Sequence, residues 1–154
     1  MFVLNNLEGG GAEKMMVKIM NGFVAKGIPV NLLLGEKKGI HLNNVHFSIK
    51  VDETGGEKFF IYLQRFLQVL KTNQYSHIFT IGYNISSAAL LAKKISSPNS
   101  KIYSTHHFAY PAKRQLKYWK GDLLLKMYYY LLFPSADKII AVSKGALEWL
   151  RKFS

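Results

Sequence analysis

The sequence contains no cysteine. Disulfides, thiolate nucleophiles and zinc ribbons are thereby excluded together, and a reducing cytoplasm is compatible with the chain without being proved by it. Long hydrophobic runs are also missing, since no window reaches the roughly 18 uninterrupted apolar residues that a membrane span requires. No basic start followed by an apolar run and a small-residue cleavage site opens the chain, so no secretory signal is read. Acidic residues are scarce: 9 Asp and Glu face 21 Lys and Arg, a net charge of +12. Such an excess attracts something anionic, whether nucleic acid, anionic lipid or a phosphorylated small molecule.

What is present belongs to a folded domain. The 154 residues are 49% hydrophobic and 19% charged, enough for one domain with a real core. Phe2-Val3-Leu4 reads as a short strand, and Met15, Met16, Ile19, Met20, Phe23 and Val24 recur at helical spacing up to Lys26-Gly27. Further strands are expected at 29–34, 45–51, 77–82, 101–107 and 138–143, and helices at 57–72, 85–95 and from 144 onward. In the helix at 57–72 the inner side is expected to carry Phe59, Phe60, Leu63, Phe66, Leu67 and Leu70. Strands alternating with helices of this length imply right-handed crossovers and a mostly parallel sheet covered on both faces. The expected class is α/β, a Rossmann-like, doubly wound domain.

Three consecutive glycines, Gly9, Gly10 and Gly11, separate the first strand from the first helix. They need positive φ or leave room for something to approach the backbone. In an open α/β sheet this loop lies at the carboxyl edge, where ligands bind, and a helix start can hold an anion. It is not a Walker A loop, because Lys14 is followed by Met15, and the third glycine of a dinucleotide fingerprint is replaced by Lys14. Glu36, after the second strand, is in place for a ribose-binding acid, but an exposed Glu there is commonplace. The residues alone leave a substrate loop and a plain tight turn both open.

His41, His46 and His77 read as ordinary surface residues. His106 and His107 end a buried strand on the same sheet edge as the glycine loop, and that convergence favours a functional role. No Asp or Glu lies near them in sequence, so no metal is expected.

Four stretches together resemble the N-terminal domain of a family 4 glycosyltransferase of the GT-B type: "FVLNNLEGGGAEK", "GFVAKGIPVNLLL", "KIYSTHH" and "SADKIIAVSKGALEWL". They span nearly the whole chain in the family's order. The resemblance implies a retaining transferase that uses a nucleotide sugar, a UDP- or GDP-sugar, as substrate and needs no other cofactor. It implies that Gly10 and Gly11 face the donor diphosphate and the acceptor's approach, that Glu13 lies near the acceptor, and that His106 lies beside the transferring sugar. Gly9, His107 and Ser143 are secondary candidates, a helix N-cap explaining Ser143 equally well. It also implies that residues 1–154 are a single acceptor-side domain whose C-terminal, donor-binding partner is absent. The isolated half is therefore expected to be inactive.

The stretch 109–133 combines cations with aromatic residues. Lys113, Arg114, Lys117, Trp119 and Lys120 resemble a surface that docks on an anionic membrane, where lipid-linked or cell-surface glycan acceptors of a bacterial envelope pathway are found. The expected location is cytoplasmic, peripheral on the inner face of the cell membrane. The same stretch read as the core side of a helix with solvated lysines is the plainer alternative. Nucleic acid is not an expected partner, because no helix-turn-helix, RNA-binding sheet motif or zinc finger is present. The rival from another class is a non-catalytic basic Rossmann-like module that docks a membrane or a partner subunit.

Overall fold

The computed structural model describes residues 1–72, 75–96, 99–106 and 128–151. His107 and the cations Lys113, Arg114, Lys117 and Lys120, with Trp119, lie outside the described residues.

Six strands form one sheet: β1 (Phe2–Leu4), β2 (Asn31–Leu34), β3 (Lys50–Glu53), β4 (His77–Ile81), β5 (Lys101–His106) and β6 (Lys138–Ala141). Their order is β3-β2-β1-β4-β5-β6, and every pairing is parallel. Among the described residues four α-helices accompany them, α1 (Gly11–Ala25), α2 (Phe59–Lys71), α3 (Tyr83–Ser96) and α4 (Lys144–Leu150). This is the doubly wound, Rossmann-like arrangement, and its strand order reverses between β1 and β4.

Alternation along the strands divides the core between the two faces. Phe2, Leu4, Leu32 and Leu34 pack with Met16, Val17 and Met20 of α1. Val3, Leu33, Ile78 and Ile102 pack on the other face with Tyr62, Phe66 and Leu70 of α2 and Ile85, Ala88 and Ala89 of α3. Because strands here are buried on both sides, they read as continuous apolar runs such as "NLLL". On the α1 face, Phe79 stacks between Phe2 and Tyr103 at 4.7 Å from each, which ties β1, β4 and β5 together.

Two expectations need correction. The third strand is Lys50–Glu53, not 45–51. Asn21 of α1 takes the intervening segment out of the sheet: its amide donates to the Asn44 carbonyl at 2.8 Å, and its Oδ1 accepts the His46 amide at 3.0 Å. Phe47 is left 94% exposed. On α2, Phe60 faces outward at 76% exposure while Tyr62 and Val69 face inward. Phe60 stands roughly 100° around the helix from the centre of the buried stripe.

Candidate functional site

The loops after β1, β2, β3 and β4 meet at the carboxyl edge of the sheet. The glycine loop connects β1 to α1, and its three residues differ in what their surroundings require of them. Gly9 has φ +134°, a conformation that side chains rarely adopt. Gly10 is extended, but a Cβ there would collide with the carboxylate of Glu13, which folds back over it. A Cβ on Gly11, the first residue of α1, would meet nothing within 4 Å. The turn itself therefore requires Gly9, the end of the Glu13 side chain would have to move for a substituent on Gly10, and Gly11 faces open space.

Hydrogen bonds fasten this loop to its neighbours. The Asn6 amide donates to Glu57 Oε1 at 2.8 Å, and the Asn84 amide at the start of α3 donates to the Glu57 carbonyl at 3.0 Å. Glu57 thus spans the point where strand order reverses. Leu7 donates to the Lys38 carbonyl at 2.9 Å, and Gly35 donates to the Leu4 carbonyl at 3.0 Å. Glu36 pairs with Lys38 at 2.8 Å, and Glu8 approaches the same ammonium at 3.5 Å. That hydrogen bond to Glu36, with the nearby Glu8 charge, raises the Lys38 ammonium above its ordinary value.

The first three amides of α1 have no carbonyl partner inside the helix. They and the helix dipole favour negative charge at this point, and Glu13 supplies one in the first turn. A ligand anion arriving there would share the helix start with the Glu13 carboxylate.

His106 ends β5 on the same edge. With strands about 4.8 Å apart, two spacings put the ends of β1 and β5 about 10 Å from one another. The His106 ring is 6% exposed, 2.9 Å from Ser104 Oγ through Nε2, and set edge-on to Phe133 at 5.2 Å. It lies on the α3 face, whereas the glycine loop opens the helix of the opposite face. The two features flank the crevice rather than touch. Ser143 follows β6 at this edge, and its Oγ accepts the Ala146 amide at 3.1 Å, which makes it the N-cap of α4.

The other histidines occupy different places. His77 begins β4 at the opposite edge and stacks on Tyr103 at 5.7 Å. Among the described residues, no three His, Asp or Glu side chains gather as a metal-binding group. No described helix is long and apolar enough to cross a membrane. The serines that contact and back His106 carry no sequence motif; they become visible only when α3 is laid against β5.

The sequence profile of Glycosyltransferase Family 4 matches residues 9–154. Among solved structures, the chain is similar to the apo form of the lipopolysaccharide outer core galactosyltransferase WaaB, with a TM-score of 0.66 at 16% identity. That similarity covers 100% of this chain and 43% of the galactosyltransferase, so the chain spans less than half the length of that enzyme. No curated protein matches it in sequence. The profile match over nearly the whole chain, joined to a six-stranded parallel sheet with the glycine loop and His106 on one edge, places the chain in glycosyltransferase family 4, with the fold of that family's N-terminal GT-B domain.

Proposed function

We propose that the chain is the acceptor-side half of a retaining glycosyltransferase that moves a sugar from a nucleotide-sugar donor to a lipid-linked or cell-surface glycan. The observation that carries this reading is the pairing, in a family 4 domain, of an unfilled helix start at Gly11 with a histidine across the crevice.

When the glycosidic bond to the donor breaks, negative charge grows on the departing diphosphate. The free amides at the start of α1 face that charge, and the open space at Gly11 lets the phosphates come close, with Gly10 reached once the Glu13 carboxylate swings off it toward the acceptor. Glu13 holds a hydroxyl of the acceptor, and His106 holds a hydroxyl of the transferring sugar. Most donor contacts belong to a second domain that closes over this edge and excludes water. Isolated, the chain is inactive in this reading.

In this reading the basic stretch with Lys113, Arg114, Lys117, Trp119 and Lys120 docks the protein on the anionic inner face of the membrane, where lipid-linked acceptors present their sugars. That docking stands on composition, with each cation near an anionic leaflet worth about 1 kcal/mol.

The test is transfer of labelled sugar by the chain expressed together with a donor-binding half, using Gly11→Val and His106→Ala. Loss of transfer in both places the loop and the histidine in one active site. Normal transfer by both makes the loop a structural turn and removes His106 from the chemistry.

A further inference from the structure

The segment between β2 and β3 does its packing with Leu42, Val45 and Ile49, which join the core on the α1 face. Asn21 pins it from the flank of α1, through the Asn44 carbonyl at 2.8 Å and the His46 amide at 3.0 Å. Its two other large apolar side chains stay outside that core: Ile40 is 70% exposed and Phe47 94%. Phe47 and Ser48 are the central residues of a tight turn, closed by the Ile49 amide donating to the His46 carbonyl at 2.9 Å. Turn tips favour Gly, Pro, Asn, Asp and Ser, so neither the turn nor the core accounts for a phenylalanine there. The His46 ring stacks on it at 4.4 Å, and His46 Nδ1 lies 2.8 Å from Ser48 Oγ, so the tip is built rather than loose.

The ridge carries cations and no carboxylate of its own. Residues 39–50 contain no Asp or Glu. An α-helix turns about 100° per residue, so Lys14 and Lys18 lie within about 60° of Asn21, on the flank of α1 that grips the segment. Both are exposed. Lys38 and Lys50 answer to Glu36 and Asp52, so the ridge relies on Lys14 and Lys18 for its charge. At one end Ile40 reaches the glycine loop, its Cδ1 3.4 Å from where a Cβ on Gly9 would stand. At the other, Phe47 precedes the start of β3 at the amino edge, away from the crevice over which a second domain closes.

We propose that Ile40 and Phe47 insert into the apolar layer of an anionic membrane while Lys14 and Lys18 lie among its headgroups. Two separate apolar tips with cations beside them suit a deformable layer, which needs no fitted pocket. This contact is distinct from the basic stretch around Lys117. Docking by both fixes how the domain lies, whereas one contact leaves it free to swivel. With the α1 flank on the lipid, the mouth of the glycine loop stands at headgroup level, and an acceptor sugar carried on a lipid reaches it without leaving the surface. That consequence, unlike the docking itself, rests on the transferase reading.

The chain lacks cysteine, so Ser48→Cys takes a single polarity-sensitive dye beside Phe47. On vesicles of equal parts phosphatidylglycerol and phosphatidylcholine, the dye emission should shift to the blue and be quenched by brominated acyl chains. Unchanged emission on vesicle-bound chain overturns the proposal, and so does a chain that stays in the supernatant. Phe47→Ser should lower partitioning about 10-fold. Lys14→Ala combined with Lys18→Ala should lower it about 30-fold at low salt. Phe47 is almost wholly outside the core, so the thermal melt of Phe47→Ser should match that of the unsubstituted chain, and weaker binding is then not a loss of fold. Unchanged partitioning by Phe47→Ser assigns the docking to other surfaces and overturns the insertion. A Phe47→Ser chain that turns from dimer to monomer in light scattering, with partitioning unchanged, shows that the ridge meets a second copy of the chain, which overturns it too.

Discussion

The phenol of Tyr62 donates to Asn5 Oδ1 at 3.0 Å and lies 3.4 Å from the Leu4 carbonyl oxygen. A residue near the start of α2 thereby anchors the first residue after β1, from which the glycine loop departs. Gly35 makes this possible, because a Cβ there would collide with the Tyr62 hydroxyl. Burial, reinforced by the charges of Glu57 and Glu36, pushes the Tyr62 phenol well above its usual value.

Tyr62→Phe keeps the ring and loses the anchor, so it should lower stability by about 1 kcal/mol at neutral pH. The raised phenol also has a pH signature. Above about pH 10 the unfolded tyrosine ionises while the folded one stays protonated, so stability falls as pH rises. Urea midpoints measured across that range should fall less steeply for Tyr62→Phe than for the unsubstituted chain. Parallel slopes would show that the phenol is not held as described.

The glycine loop separates folding from binding. Gly9→Ala forces a side chain into φ +134° and should cost about 1–3 kcal/mol. Gly11→Ala adds a methyl group to open space at a helix start and should leave stability unchanged or raise it by about 0.4–1 kcal/mol. Thermal melts of the two variants check this order. A large loss in Gly11→Ala would mean that Gly11 also serves the turn.

Asp137 secures the pairing of β5 with β6. Its Oδ2 accepts the Ile102 amide at 2.7 Å and pairs with Lys93, while its own amide donates to the Ile102 carbonyl at 3.0 Å. Partial burial works to raise the carboxyl, but Lys93 and the Ile102 amide outweigh it and hold the group below its usual value. The stabilisation is therefore present above the unfolded aspartate value of about 3.9 and is lost as pH falls through the lower folded value. Asp137→Asn should cost about 1 kcal/mol at pH 7 after allowance for solvent screening. Denaturant titrations should show that gap closing below about pH 4. A gap that persists in acid would point to packing rather than charge.

Membrane docking is tested with vesicles. Co-sedimentation with anionic vesicles should be strong at low salt, and Lys113→Ala, Lys117→Ala and Lys120→Ala combined should remove about 3 kcal/mol of it. Equal binding to neutral vesicles, or indifference to salt, would leave those lysines as plain surface charge.

Much of the architecture was legible because periodicity is a local property. The α1 repeat of Met16 and Met20, the runs "NLLL" and "HIFTI", and the glycine breaks mark the elements without any knowledge of their partners. The third strand was misplaced because its fate depends on Asn21, a residue some 25 positions earlier whose amide captures the segment. Phe60 was misjudged because the stripe of α2 is centred on Phe66 and Leu70, and the sequence offers aromatic residues on both sides of it. At the candidate site, Gly10 and Glu13 are close in sequence and their relation could be suspected. Ser86 and Ser104 stand 18 residues apart on different elements, and only their packing makes them neighbours of consequence.

The three glycines also carry an evolutionary meaning. Backbone geometry compels the residue at position 9, so descendants that keep the fold are under pressure to keep it. Among the described residues nothing crowds position 11. An occupant of the crevice would select against a side chain there. A descendant that loses its substrate is free to drift first at Gly11, and the residue found at that position becomes a record of whether the lineage still has something to bind.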